Sequence, residues 1–386
     1  MKKWIRRLTA ALLLCCAASF AAVAYGNWAI PDTVQVLSED DEYLPAMFTR
    51  DADNVRFLHT VAVKKNSVRV SSRVYAQPLG RAFGIKLYTE GVMVVRADAV
   101  DTEQGSVSPA KDAGVRAGDM ILSVDGQSVH TNRQLAAVVM QSGGQPMRLR
   151  VRRDGLTFET TLTAVQSALD GQYRAGIWVR DSSAGIGTLT FCVPEYGMFA
   201  GLGHAVCDVD TGKLLPLSDG EAVEVEIKGS YKGRDGDPGE LCGVFKEGKI
   251  GTLLDNTESG IYGSCACRDD RGLMPVAMYY EVQTGDAAIL AEVDDSGPQA
   301  YSVQITKLFS NPDARQKNLI VKVTDPDLIA KTGGIVQGMS GSPILQNGMI
   351  VGAVTHVFVQ DPLQGFGVYA QTMVRQMQEL TAEAAS

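Results

Sequence analysis

The sequence predicts a mostly β protein of several domains behind an N-terminal apolar segment. Its 386 residues suffice for two or three domains of ordinary size. Forty glycines and few segments of helical period indicate short strands joined by many turns. A hydrophobic content of 45% with 21% charged residues is typical of ordered globular domains and argues against disorder.

The N-terminus has the order of parts of an export signal. A charge-free apolar run covers residues 8–24. A basic start followed by such a run directs a chain out of the cytoplasm. We therefore predict residues 1–27 to be a signal or transmembrane anchor that contacts the membrane, and Ala22-Val23-Ala24 leaves cleavage open. The basic residues that precede the run are Lys2, Lys3, Arg6 and Arg7.

Charge and cysteine content narrow the possible partners and cofactors. With Lys+Arg 36 against Asp+Glu 44, the formal net charge is −8, so we expect no nucleic-acid partner. Five cysteines follow the apolar segment, an odd number that makes no complete disulfide framework. Cys265-Ala266-Cys267 has the wrong spacing for a zinc knuckle, and the chain holds only 4 histidines. We expect neither a metal nor another cofactor.

Two segments follow the anchor. Residues 28–76 form a β-rich lead-in, with a solvated acidic cluster at 39–42. Residues 77–166 resemble a PDZ domain, most closely from Ala110 to Gly126. In that family a loop offers its N–H groups to a peptide C-terminus, and the peptide adds as a strand to a sheet edge.

The resemblance to a PDZ domain implies a peptide-binding loop at Gly84, Ile85, Lys86 and Leu87. This loop departs from the Gly-Leu-Gly-Phe form that is usual in the family. The alternative is a PDZ fold that only holds the next domain in place. After a polar linker at 167–171, residues 172–386 read as many short strands and a last helix. A region of this length and pattern is typical of a double β-barrel or a sandwich.

A serine loop near the C-terminus carries the chemistry. Ser340 stands in Gly338-Met339-Ser340-Gly341-Ser342-Pro343, ahead of two apolar strands joined by Asn347-Gly348. That dipeptide predicts a tight hairpin, because both residues tolerate positive φ. Glycines let successive N–H groups converge, as an oxyanion hole requires. The loop resembles that of chymotrypsin-like double β-barrel proteases, which implies an oxyanion hole made by the N–H groups of Gly338 and Ser340.

A serine nucleophile needs a base, and four histidines are available. His204 lies in a glycine-rich turn where an imidazole can face a cleft, and His356 lies on the strand after the hairpin. In a chymotrypsin-like fold the base comes from the first barrel and the nucleophile from the second, which favours His204. A structural role remains the alternative. His59 and His130 lie in the lead-in and the PDZ segment.

A carboxylate should orient the imidazole and stabilise its charged form. Asp325, before Pro326, completes the order His204, Asp325, Ser340, which is also the chymotrypsin order. Its 15-residue distance from Ser340 is short for such a fold. The alternative use of Asp325 is to begin a turn before the proline. The other candidate acids are Asp208, Asp210 and Asp361.

Together these segments resemble the stage IV sporulation protein B family of serine peptidases. The resemblance rests on the PDZ segment, on 173–191, on Gly201-Leu202-Gly203-His204, and above all on 331–344 with 352–358. It implies a PDZ-bearing serine endopeptidase exported to the space between forespore and mother cell. Its substrates would be itself and a regulatory subunit of a membrane complex. Cleavage of that subunit would lead to release of the late mother-cell sigma factor, sigma-K. The rivals are a PDZ scaffold with an inactive barrel and a general extracytoplasmic stress protease.

Overall fold

The computed structural model describes a long N-terminal helix, a small β module, a PDZ domain and two six-stranded β-barrels. The mostly β architecture expected from the sequence is confirmed. The described residues are 2–38, 40–51, 53–264, 272–309, 311 and 317–385.

The N-terminal helix α1 spans Lys2–Ala29 and is the one membrane-length apolar helix among the described residues. Its segment Trp4–Ala29 has a mean hydropathy of 2.1 and packs little against the rest of the chain. At about 1.5 Å per residue this helix is long enough to cross a hydrocarbon core of about 30 Å. It is consistent with a membrane anchor or a signal segment.

The lead-in folds into two small sheets beside the end of α1. Strands β1 and β5 pair in parallel, and β2, β3 and β4 form an antiparallel sheet. Buried Asn66 accepts a hydrogen bond from the Tyr43 hydroxyl and donates one to the Pro31 carbonyl, which fixes the module internally. Glu39 of the acidic cluster lies outside the described residues. The strands are β1 (Thr33–Val36), β2 (Phe48–Asp51), β3 (Asn54–Phe57), β4 (Val61–Lys65) and β5 (Ser67–Val70).

The PDZ domain packs two helices against a twisted sheet. Its core is apolar and fully buried at Val92, Ile121, Leu149 and Val151. Helix α3 begins with a capping box, in which Thr131 and Gln134 satisfy each other's backbone N–H groups. The elements of this region are β6 (Tyr75–Ala97), β7 (Val100–Thr102), β8 (Gly105–Val107), α2 (Pro109–Asp112), β9 (Met120–Val124), β10 (Gln127–Ser128), α3 (Asn132–Gln141), β11 (Pro146–Arg153), β12 (Leu156–Thr163), β13 (Val165–Gln166), β14 (Tyr173–Arg174) and β15 (Ile177–Val193).

The first barrel closes through the two long strands that also enter the PDZ domain. Its strand order is β6-β15-β16-β19-β18-β17, and β17 pairs back to β6. The interior is filled by Phe83, Leu87, Phe199 and Ile261, all with almost no exposed surface. The new elements are β16 (Met198–Gly201), β17 (Leu217–Tyr231), β18 (Glu240–Thr257), β19 (Gly260–Ser264) and β20 (Met274–Pro275), followed by a 3₁₀ turn at Tyr279–Glu281.

The second barrel carries the serine loop. Its closed order is β21-β22-β23-β26-β25-β24, and the last helix covers one side of it. Asn347 and Gly348 have φ values of 51° and 74°, as the predicted hairpin requires. The elements are β21 (Gly285–Ala291), β22 (Gln299–Leu308), β23 (Leu319–Val323), α4 (Pro326–Thr332), β24 (Pro343–Gln346), β25 (Met349–Phe358), β26 (Asp361–Tyr369) and α5 (Ala370–Ala384).

Three of the five cysteines of the body lie in the described residues. Cys207 and Cys242 carry free thiols, and Cys192 is disulfide-bonded. Cys265 and Cys267, which the sequence raised as metal ligands of unsuitable spacing, lie outside the described residues.

The PDZ domain is inserted within the first barrel rather than placed before it. Residues 77–88 of β6 pair with β15, and 83–89 pair with β17 as well, so this stretch is barrel strand, although the sequence assigned it to the PDZ domain. The PDZ core begins at Val92 and extends to Val179, beyond the expected limit at 166. Strand β6 contributes to the barrel core and then to the PDZ core. Apolar residues occur along its whole length, so its sequence does not mark the boundary between the two.

This topology predicts different outcomes for two deletions. Replacing 97–177 by Asn-Gly joins Arg96 to Trp178, which are paired across β6 and β15, and leaves every barrel strand in place. We expect that chain to keep a cooperative thermal unfolding transition by circular dichroism. Deleting 77–166 removes most of a barrel strand, and we expect rapid digestion by trypsin. Equal protease resistance of the two chains would contradict the insertion.

Candidate active site

The serine loop is a tight chain reversal between α4 and β24. Gly338 and Gly341 have φ values of 96° and 98°, which side chains other than glycine rarely adopt. The N–H group of Met339 donates to the carbonyl of Val336, and that of Gly341 donates to Val354 of β25. These bonds fix the peptides on both sides of Ser340.

Two N–H groups of this loop have no hydrogen-bond acceptor in the part of the chain that the structure describes. Those of Gly338 and Ser340 donate to no acceptor among the described residues, whereas those of Gln337, Met339 and Gly341 all do. Backbone N–H groups that are shielded from water are usually paired. Two unpaired donors at the serine and two residues before it suit an oxyanion hole.

The hydroxyl group of Ser340 points at β25. Its Oγ donates a 2.6 Å hydrogen bond to the carbonyl of Thr355. A serine hydroxyl has one proton to give, so this bond and a bond to an imidazole base exclude each other. In this arrangement the Ser340 hydroxyl donates to backbone and not to an imidazole.

His204 lies at the end of a turn from the first barrel that packs on the same stretch of β25. Leu202 and Gly203 both have positive φ, 66° and 70°, which turns the chain sharply before the histidine. A Cβ at Gly203 would lie 2.9 Å from the Cγ2 of Thr355, so only glycine lets the turn approach β25 this closely. The tertiary fold thus brings His204 and Ser340 to neighbouring residues of one strand.

The hydrogen bond at Nδ1 fixes the tautomer of His204. Nδ1 lies 2.8 Å from the carbonyl oxygen of Ala205. Because a carbonyl only accepts, Nδ1 of the neutral ring carries the proton, and Nε2 keeps a lone pair. Burial lowers the pKa of His204, against the smaller opposing effect of this hydrogen bond. A neutral imidazole with a free Nε2 is the form that a general base needs.

His356, the competing candidate, contacts His204 directly. The two ring centroids are 4.5 Å apart, with an angle of 35° between the planes. Although His356 is exposed on its outer side, desolvation of the packed side and the neighbouring imidazole lower its pKa to about 4. His59 and His130 lie in turns of the lead-in and the PDZ domain.

Asp325 does not orient His204 in this structure. It is the N-cap of α4, and its carboxylate accepts from the N–H groups of Ser302, Asp327 and Leu328 at 3.0–3.1 Å. Partial burial opposes its ionisation, but these three bonds outweigh it and lower its pKa. The structure thus shows the alternative role of Asp325, at the start of a turn before Pro326. The predicted contact in which Asp325 orients His204 is not formed.

The other candidate acids are also engaged elsewhere. Buried Asp208 forms an ion pair with Arg180, whose guanidinium Nε lies 2.7 Å from the carboxylate, and Asp210 pairs with the same side chain. Asp361 accepts from Gln364 within its own turn. No carboxylate of the described residues is hydrogen-bonded to His204; the group on its Nδ1 is a backbone carbonyl. A backbone acceptor carries no sequence signal, which is why sequence reasoning missed both Ala205 and Thr355.

The predicted peptide-binding loop is wrong. Gly84, Ile85, Lys86 and Leu87 lie in the middle of β6, paired on one edge with β15 and on the other with β17. A strand with both edges paired has no N–H or carbonyl groups left to bind a peptide strand. The misassignment follows from placing the PDZ domain ten or more residues too early.

A groove with an available strand edge lies elsewhere on the PDZ domain. It occupies about 560 Å³ between α3 and the start of β15. Residues 177–180 pair with β6 along one edge, and no described strand pairs with the other. Leu135 and Val139 of α3 line the wall, and Trp178, 58% exposed, lies at the rim.

Comparisons with known proteins support both the PDZ domain and the peptidase region. Residues 101–153 match the PDZ domain family. The chain is 30% identical over 121 residues to a putative zinc metalloprotease, BH06270, of Bartonella henselae, and 31% identical over 97 residues to putative zinc metalloprotease LL2128 of Lactococcus lactis. These matches cover 30% and 25% of this chain, and 33% and 22% of the relatives. The chain thus spans a third or less of the curated relatives it matches.

A solved structure is similar over half of the chain, the inactive form of a serine-to-alanine variant of Rv3671c from M. tuberculosis H37Rv. Its TM-score is 0.29 at 15% identity, covering 51% of this chain and 82% of that one. Residues 171–374 match the family SpoIVB peptidase S55, which is more than half of the chain and includes both His204 and Ser340. The chain belongs to the SpoIVB peptidase S55 family.

Proposed function

We propose that this protein is a serine endopeptidase in which Ser340 is the nucleophile and His204 the base. The observation that carries the proposal is the meeting of the His204 turn and the Ser340 loop on Thr355 and His356 of β25. In the reaction Ser340 Oγ leaves the Thr355 carbonyl, transfers its proton to Nε2 of His204 and attacks a peptide carbonyl. The protonated imidazole then gives its proton to the leaving amine.

The free N–H groups of Gly338 and Ser340 would stabilise the oxyanion of the tetrahedral intermediate. Each donor of such a hole contributes about 10²–10³-fold in rate. The backbone conformations of Gly338 and Gly341 set the directions of these donors. Neither donor has to break a protein hydrogen bond before it can bind the oxyanion. This preorganisation is the part of the proposal that depends most on the exact backbone.

The carbonyl of Ala205 takes the orienting place that an aspartate has in a Ser-His-Asp triad. It holds the ring and its tautomer but brings no negative charge to stabilise the imidazolium. This is consistent with the lowered pKa of His204, because a carboxylate at Nδ1 would raise it. Asp325 contributes through the N-terminus of α4, whose C-terminal end leads into the serine loop.

We propose, from the family, that the enzyme acts in endospore formation, in the space between forespore and mother cell. There it would cut itself and a regulatory subunit of a membrane complex, which releases sigma-K. Helix α1 would hold it at the membrane. A peptide strand or C-terminus would bind the groove between α3 and β15, where main-chain groups of 177–180 remain available.

The catalytic assignment is tested by three alanine variants. We expect Ser340→Ala and His204→Ala to lower kcat on dye-labelled casein by about 10⁴- to 10⁶-fold, because nucleophile and base act as a unit. His356→Ala should lose less than about tenfold, since the ring lies beside the base and donates no proton. Ser296→Ala, in a surface turn, is the matched control.

A fluorophosphonate probe provides a second readout for the same variants. It should label the parent at Ser340 and leave Ser340→Ala unlabelled. An unlabelled parent would favour the inactive scaffold. If His356→Ala lowered kcat as much as His204→Ala does, His356 would become an equal candidate for the base.

The role of Asp325 is tested by comparing two substitutions. Asparagine also caps helices, so Asp325→Asn should retain kcat within about threefold. Asp325→Ala removes the cap and should lower the free energy of unfolding by about 1 kcal/mol, measured in urea. A triad aspartate behaves differently, because its replacement by asparagine lowers kcat by about 10⁴-fold. Such a loss would restore Asp325 to the catalytic set.

The pH dependence follows from the lowered pKa of His204. The base must be neutral, so the acidic limb of the kcat/KM profile should lie below pH 6.5, the ordinary imidazole value. A limb at or above 6.5 would indicate a carboxylate at Nδ1 of the working enzyme. His356→Gln should leave the limb in place, since the pKa of His356, about 4, is already below the range that matters.

A further inference from the structure

Thr188 connects the serine loop to the first barrel. It lies on β15 with 1% of its surface exposed. Its Oγ1 donates to the carbonyl of Gly338 at 2.8 Å, and its N–H donates to the carbonyl of Ser340 at 2.9 Å. Both bonds join residues about 150 positions apart. One first-barrel residue therefore holds the carbonyl groups of the two residues whose N–H groups are free.

The same residue also holds the histidine turn. The carbonyl of Thr188 accepts from the N–H group of Leu202, two residues before His204, at 3.2 Å. A Cβ at Gly341 would lie 2.0 Å from this carbonyl oxygen and 2.6 Å from the nitrogen of Leu202. Thr188 is thus in contact with the loop of the nucleophile and the turn of the base at once.

The hydroxyl bond to Gly338 restrains a peptide that borders the oxyanion site. The Gly338–Met339 peptide is held at its carbonyl by Thr188 and at its N–H group by Val336. The next peptide begins with Met339 and supplies the free N–H group of Ser340. That second peptide is held at the Met339 carbonyl by the N–H group and hydroxyl of Ser342. Without the Thr188 hydroxyl the Gly338–Met339 peptide would keep only its bond to Val336, and the backbone freedom of Gly338 would let it tilt and shift the neighbouring donor.

We propose that Thr188 is a positioning residue for this peptidase, which aims the N–H groups of Gly338 and Ser340 through its side-chain hydroxyl. The inference rests on the proposed serine chemistry and deepens it. Thr188 touches neither substrate nor reacting atoms. Its effect is on the geometry of the hole, so it changes stabilisation of the transition state more than binding of the substrate.

A matched pair of variants separates the hydroxyl from its surroundings. Thr188→Val keeps the shape and removes the hydroxyl, whereas Thr188→Ser keeps the hydroxyl. Thr190, two residues further along β15, is fully buried and its Oγ1 has no hydrogen-bond partner among the described residues. Thr190→Val is therefore the control for loss of a buried threonine hydroxyl on the same strand.

The experiment measures casein hydrolysis by the full chain and the rate of fluorophosphonate labelling at Ser340. We expect Thr188→Val to lower kcat and the labelling rate by about 10- to 100-fold, within the effect of one lost oxyanion donor, with KM within threefold. Thr188→Ser should recover to within threefold of the parent, and Thr190→Val should match the parent. All variants are assayed well below their thermal midpoints.

The outcomes distinguish this inference from the proposed function. A parent that is neither active nor labelled defeats the serine chemistry itself. An active parent with Thr188→Val equally active, or with Thr188→Ser as slow as Thr188→Val, overturns the role of the hydroxyl. A loss seen only in KM does so as well. If Thr188→Val does not fold, Thr188→Ala against Thr188→Ser provides the same comparison, and equal rates overturn the proposal.

Discussion

The close approach of Gly341 to β15 is the constraint on which the site depends. Its Cα lies so near the carbonyl of Thr188 and the nitrogen of Leu202 that no side chain fits. This contact seats a loop of the second barrel directly on the backbone of the first. The serine on one side of Gly341 and the histidine two residues after Leu202 are brought together by it. Because the contact is made by backbone, it transmits position without depending on flexible side chains.

The electrostatics of the site differ from those of a Ser-His-Asp triad. His204 is held by a carbonyl and its neighbour is a second imidazole. Asp325 caps a helix, and Asp208 forms an ion pair with Arg180. In the proposed mechanism an imidazolium without a carboxylate at Nδ1 is less stabilised, so catalysis would rely more on the oxyanion donors. The proposed mechanism also requires the Ser340 hydroxyl to leave the Thr355 carbonyl, which takes only a rotation of the side chain.

The insertion of the PDZ domain gives the molecule a direct mechanical link. Strand β15 begins beside the groove at Ile177 and continues without a break to Val193, passing Thr188 on the way. Its partner β6 does the same in the opposite direction. Arg180, near the groove end, also binds Asp208 in the segment after His204. The groove and both halves of the site are thus connected by continuous strand and by this ion pair.

Local signals in the sequence determined a large part of this protein. The apolar N-terminal helix, the Asn347-Gly348 hairpin, the capped helix at 132–141 and the glycine-rich serine loop all follow from residues close together in the chain. The pairing of His204 with Ser340 rested on a resemblance, and the structure brings both to one strand. The prediction of a peptide-binding loop at 84–87 was wrong, because the sequence pattern of a buried strand is the same in a PDZ sheet and in a barrel.

What only the tertiary structure decided is which partner each polar group takes. Asp325 has the right residue type and position in the chain for a triad. Its carboxylate instead accepts from two N–H groups of the adjoining helix α4 and from the N–H group of Ser302. The acceptors at His204 and Ser340 are backbone carbonyls, which every residue possesses and no sequence pattern marks. Thr188 and Thr190 look alike in the sequence, and only the fold places one hydroxyl against Gly338 and leaves the other unpaired. Residue type sets what a group can do, and long-range packing sets what it meets.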